Sequence, residues 1–238
     1  MINAIDCSRV DCSKWVGSPP EKEFIIQDWL SIGHVSYLNG DYEVGKSLLV
    51  QQLMTAVATG KPWLSIDVKQ VKTYALFCED GKEDLIRKQC AINELYQLNA
   101  DFPDLANNIR LLSRAGENNS LIVFNDSYTG RLTPYFYDLL EDIKSFQPKL
   151  VILDAASDLF GGDENICTHR RQFMQLCCAN IARTVNCAVL LCKHDTNIDM
   201  WHNRALYLSR SEEARDERVL HCGRSSHLLR YQNGVFVI

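Results

Sequence analysis

The chain has 238 residues, 46% of them hydrophobic and 23% charged, which is enough apolar material for one sizeable α/β core and excludes a disordered chain. Its formal net charge of −5 excludes a global basic field that would draw it onto nucleic acid or an anionic membrane, so any such contact has to be local. Ten cysteines do not make a disulfide scaffold or a zinc site: several lie inside apolar runs such as Cys187 to Cys192, where thiols pack as small hydrophobes, and no pair has the C-x-x-C spacing.

Residues 1–22 are polar, contain Gly17-Ser18-Pro19-Pro20 and follow no structural period, which predicts an extended, flexible arm ahead of a folded unit over 23–238. No basic segment leads into an apolar one, and no run approaches the roughly 18 apolar residues of a membrane span, so a cytoplasmic location without membrane contact is expected. Phe24 to Leu30 is amphipathic, and the prolines before it stop any helix running in from upstream. His34 to Leu38 reads as a strand, Gly40 to Gly45 as a glycine-bounded loop, and Ser47 to Thr59 as a helix ended by Gly60.

A second strand over Lys72 to Cys78 is followed by Glu79-Asp80-Gly81 and a helix in which Leu85, Ile86, Ile92, Leu95 and Tyr96 recur at helical spacing. Ile109 to Leu112 is a third strand, Leu121 to Phe124 a hairpin edge, and Pro134 to Phe146 a helix with proline in its first turn. Leu150 to Leu153 is an apolar run closed by Asp154. Thr168 to Thr184 reads as the next helix and Ala188 to Cys192 as the next strand. Such uniformly apolar runs belong to parallel strands covered on both faces. Beyond residue 205 the short runs and Asn233-Gly234 predict antiparallel strands that extend the sheet. The expected fold is therefore α/β: a mostly parallel central sheet flanked by helices, with a C-terminal antiparallel extension.

Gly40-Asp41-Tyr42-Glu43-Val44-Gly45-Lys46-Ser47 satisfies G-x-x-x-x-G-K-[ST] between a strand and a helix, the context in which that string binds phosphate. Backbone amides of the loop, running on to Leu48, would cradle the α and β phosphates of ATP. Lys46 would reach the β and γ phosphates, and the Ser47 hydroxyl would ligate Mg2+. Glu43 places a carboxylate in that loop, where it would oppose phosphate by charge repulsion. Asp154, at the end of a buried strand, suits a second Mg2+-orienting group. Glu79 is the expected base for the attacking water, with Asp80 free to cap the following helix. His194, at the end of the last parallel strand, could sense the γ phosphate or serve structure alone. Arg204, near Trp201, could act as a finger on a neighbouring subunit's nucleotide or be an ordinary surface arginine.

Seven blocks carry a resemblance: FIIQDWL, GDYEVGKSLLVQQLMTAVATGKPWL, YALFCED, KLVILDAASDLFGGDEN, AVLLCKH, RVLHCGRSS and LLRYQNGVFV. From Phe24 to the C-terminus the chain resembles the RecA-like P-loop ATPases that include plasmid RepA hexameric replicative helicases and prophage AAA-type ATPases. The resemblance implies ATP and Mg2+ as cofactors, Glu79 as catalytic glutamate, Asp154 as second-motif aspartate, His194 as γ-phosphate sensor and Arg204 as arginine finger. It further implies a homo-oligomeric ring, hexameric in the plasmid helicases, with ATP between subunits, and single-stranded DNA bound by a Gly/Ser-rich loop after the sensor strand. In this chain that loop is the glycine-free DTNIDMWHNR, Asp195 stands where proline is usual, and the turn between Ser226 and His227 is absent.

Overall fold

The computed structural model describes residues 11–14, 17–19, 21–99 and 103–193, and beyond them the backbone of four strands. β1 (Phe24–Ile26) and β2 (Leu30–Ser31) form a small antiparallel hairpin. The amphipathic stretch 24–30 thus folds as a hairpin whose turn is made by Asp28 at φ 62°, a left-handed conformation that aspartate tolerates. β3 (Val35–Gly40), α1 (Lys46–Thr59), β4 (Thr73–Phe77) and α2 (Lys82–Leu95) follow the predicted pattern. A short helix α3 (Pro103–Asn108) precedes β5 (Ile109–Ser113).

β6 (Ile122–Phe124) and β7 (Gly130–Leu132) form the expected hairpin, and α4 (Pro134–Phe146) begins at a Thr133 cap that accepts from the Phe136 amide. β8 (Leu150–Asp154), α5 (Ala156–Leu159) and β9 (Phe160–Gly161) come next. The predicted helix 168–184 is two helices, α6 (Cys167–Phe173) and α7 (Ala179–Val185), joined by a π-helical turn over Met174–Cys178. Phe173, Cys177, Cys178, Ile181 and Ala182 are all buried, and that spacing suits a regular helix and one with a widened turn equally well. β10 (Ala188–Lys193) is followed by β11 (Ala205–Arg210), β12 (Glu217–Cys222), β13 (Ser225–Gln232) and β14 (Val235–Val237).

Among the described residues nine strands form one sheet in the order β14-β13-β12-β11-β3-β10-β8-β4-β5. From β11 to β5 every neighbouring pair is parallel, and β12, β13 and β14 add antiparallel strands, with Gln232 opposite Val235. This is the α/β arrangement of a P-loop NTPase. A separate three-stranded sheet sets β6 between β7 and β9. There a Cβ on Gly161 would collide with the Ile122 carbonyl oxygen, and one on Gly162 with the Phe124 ring, so the paired glycines of FGGDEN serve close packing.

Side-chain alternation divides the core into two layers. Ala75, Phe77, Leu150, Ile152, Ala188, Leu190 and Cys192 face the layer that holds α1, α2 and the β1–β2 hairpin. Tyr74, Leu76, Val151, Leu153, Val189 and Leu191 face the layer of α4, α6 and α7. α1 is buried almost along its whole length, which explains why its sequence shows so little amphipathic contrast. No helix among the described residues is long and apolar enough to cross a membrane.

Candidate active site

β3 delivers its last residue, Gly40, to the C-terminal edge of the sheet, and the chain turns through residues 41–45 into α1. Two residues make that turn with positive φ, Glu43 at 59° and Gly45 at 94°; the second lies at the helix mouth, where glycine relieves the steric cost. No side chain caps α1, and no acidic residue sits in its first turn. Its free amides and the positive end of its dipole therefore remain available to an anion. α2 differs, with Glu83 and Asp84 in its first turn. Glu43 and Tyr42 are exposed on the outside of the loop.

Lys46 is only 3% exposed. Its ammonium donates to the carbonyl oxygens of Gly40 at 2.8 Å and Asp41 at 2.5 Å. Burial lowers its pKa, while Cys192, Asp154, Glu79 and Asp41 act to keep it charged. These carbonyls satisfy the ammonium inside the loop that a phosphate would fill, so a triphosphate would exchange weak dipoles for formal negative charge.

Asp154 closes β8 directly opposite Phe77, the last residue of β4, and the Cys78 amide donates to the Asp154 carbonyl at 2.6 Å. The pairing brings Glu79 and Asp80, at the exit of β4, to the same crevice as Asp154. Asp154 is buried and accepts a hydrogen bond from the Ser47 hydroxyl. Burial raises its carboxyl pKa to about 6; the Ser47 hydrogen bond and Lys46 pull it down, and Asp80 and Glu79 push it up. The structure thus gathers Lys46, Ser47, Asp154 and Glu79, which are scattered over 109 positions of sequence numbering from 46 to 154.

That raised pKa predicts a stability effect. An unfolded aspartate titrates near about 4, so the stabilising proton is fully held below that pH and lost as pH rises through about 6. Above it the ionised, buried carboxylate costs the empty fold roughly 1–3 kcal/mol. Asp154→Asn should therefore raise the melting temperature of the nucleotide-free protein at pH 8, with the gain over wild type closing as pH falls toward 4. A variant that melts below wild type at pH 8 would show that the carboxylate is not held at a cost.

Asp80 does not cap α2. Gly81 occupies the cap position without a side-chain bond. The Asp80 carboxylate instead pairs with Lys88 at 2.6 Å, and its carbonyl accepts from the Ser113 hydroxyl at 2.8 Å. A lysine eight positions along, two turns into the helix, holds it more strongly than a local backbone amide would. His194 and Arg204 lie outside the described residues.

Two site neighbours escaped the sequence reading. Cys192 is buried on the α1 face beside Asp154 and Lys46. Asn39, the residue before Gly40, is buried beside Lys193 of β10, with its amide oxygen unpartnered. The two-residue alternation of AVLLCK places Cys192 on the Lys46 face once the strand order is known; nothing local in the sequence supplies that order.

Among the described residues no three His, Cys, Asp or Glu side chains form a metal-holding group. The donor set still fits a hard cation: a hydroxyl and a carboxylate, hydrogen-bonded to each other and short of ligands, as expected where Mg2+ completes its shell with phosphate and water. A family model described as "AAA domain" matches residues 5–198. No curated protein matches the chain.

Proposed function

The chain belongs to the AAA domain family and is an ATPase of the P-loop class, and from that premise we propose that it is a RecA-like motor of phage or plasmid-type DNA replication that hydrolyses ATP in a homo-oligomeric ring and couples this to single-stranded DNA. The observation that supports a hydrolytic site is the convergence of Lys46, Ser47, Asp154 and Glu79 on one crevice at the C-terminal edge of parallel strands, where α/β sheets bind their ligands.

In this reading the amides of residues 41 to 48 wrap the α and β phosphates, and Lys46 leaves the Gly40 and Asp41 carbonyls to bind the β and γ phosphates. Ser47 and Asp154 hold Mg2+, which when bound neutralises charge on the phosphates. Glu79, exposed at the mouth, takes a proton from the attacking water. His194 and Arg204 complete the site as sensor and as finger toward a neighbouring subunit's nucleotide.

A second reading, a nucleotide-dependent regulator without motor activity, is favoured by one feature: the glycine-free segment 195–204, where the helicases it resembles carry a Gly/Ser-rich DNA loop. ATP turnover measured with and without single-stranded DNA separates the two. A motor accelerates severalfold or more; a rate indifferent to DNA at saturating nucleotide rejects the helicase reading and leaves the regulator.

A further inference from the structure

Cys192 has no exposed surface. β10 runs between β3 and β8, with Cys192 opposite Leu38 on one side and Leu191 opposite Leu153 on the other. One step beyond Leu153 is Asp154, so thiol and carboxylate stand at the same level on adjacent strands. Alternation turns both toward α1, the side on which Leu190 and Ile152 also pack. The thiol hydrogen-bonds the Asp154 carboxylate, and burial, reinforced by the negative charge of Asp154, holds the Cys192 pKa well above its ordinary value. A thiol placed there, on the adjacent strand and the same face as the carboxylate, offers its S–H as a donor.

Asp154 needs such a partner. It is nearly closed off from water, its other hydrogen bond of this kind comes from Ser47, and Glu79 and Asp80 repel it. A carboxylate with one donor can rotate about that bond; a second donor from the neighbouring strand fixes its plane. Leu38, which stands opposite Cys192 on β3, has nothing to donate.

We propose that Cys192 is a positioning residue of the hydrolytic site, its S–H group donating to Asp154 and fixing the carboxylate in the orientation that Ser47 and the divalent ion require. The proposal rests on the assignment of Asp154 to Mg2+ made above. Removing an outer-shell partner of this kind costs about 10-fold or more in metal affinity.

The test is binding of a fluorescent ADP analogue titrated with Mg2+, a measurement that needs no turnover. For Cys192→Ala the Mg2+ concentration that half-maximally tightens nucleotide binding rises about 10-fold, while affinity without Mg2+ stays as in wild type. Cys192→Val, which fills the volume but has no donor, behaves like the alanine variant. Cys192→Ser restores a donor and recovers the wild-type midpoint. Should valine match wild type while serine fails, packing and not donation is the role of this position, and the proposal falls; it falls equally if all three variants match wild type. Asp154→Asn runs alongside: if it leaves the Mg2+ dependence intact, the metal assignment has failed and takes the proposal with it, whereas its loss of Mg2+ dependence beside unaffected Cys192 variants rejects the thiol's role alone.

Discussion

Lys46→Ala should lower Mg2+-dependent ATP hydrolysis by roughly 10²- to 10³-fold, the scale on which losing one preorganised electrostatic donor acts in a water-poor site. The ammonium is buried and held at 2.8 Å and 2.5 Å by two loop carbonyls, so it is already positioned before nucleotide arrives. Losing it removes a formal positive charge from the crevice and leaves Asp154 and Glu79 facing a triphosphate without the ammonium on which both act. Lys46→Arg should not rescue it: a planar guanidinium cannot act as the compact point charge that the Gly40 and Asp41 carbonyls both accept from. The fold should persist, because burial lowers the pKa of Lys46 and its charge is thus a cost to the empty protein. Circular dichroism and steady-state hydrolysis on the same samples make the test. A correctly folded Lys46→Ala protein that turns over ATP like wild type would remove the phosphate loop from the account.

The loop and its flanking elements were legible in sequence because their signals are local. Glycine at 40 and 45, lysine and serine at 46 and 47 and an apolar strand before them all fall within about a dozen residues, and the structure keeps each in place. Asp154 was legible for a similar reason, as a carboxylate closing an apolar run. Strand order was not, since β3 and β4 follow one another in sequence yet are separated in the sheet by β10 and β8. That arrangement depends on pairings 38, 77 and 154 residues apart (Ala188 with Leu150, Leu150 with Thr73, Val189 with Val35), which no short-range period encodes. The thiol of Cys192 became a neighbour of Asp154 only through this order. The partner of Asp80 was hidden differently: the local rule favoured a helix cap, and a charged group two turns away, Lys88, won by forming an ion pair in a half-buried setting. Elements such as α5 and β9, of four and two residues, are too short to establish a period at all.

The identity of the base is the sharpest chemical question the crevice poses, because Glu79 and Asp80 are adjacent and both bear on Asp154. Their surroundings separate them. Asp80 is engaged by Lys88, its side chain 20% exposed, and is anchored through its carbonyl to Ser113, so its carboxylate belongs to the α2–β5 scaffold. Glu79 is exposed and acts on both Lys46 and Asp154, which supports the proposal that it is the base. Glu79→Gln keeps the size and one hydrogen-bond acceptor but cannot take a proton, so kcat should fall about 10²- to 10⁴-fold while ATP binding stays close to wild type. Removing a negative charge near the phosphates should, if anything, tighten that binding. Asp80→Asn should do the reverse, lowering thermal stability by loosening α2 while sparing most of kcat. Pre-steady-state binding and single-turnover hydrolysis on both variants distinguish affinity from chemistry. If Asp80→Asn abolishes turnover and Glu79→Gln does not, the base is the residue held by Lys88, and that ion pair becomes a part of the catalytic machinery instead of the scaffold.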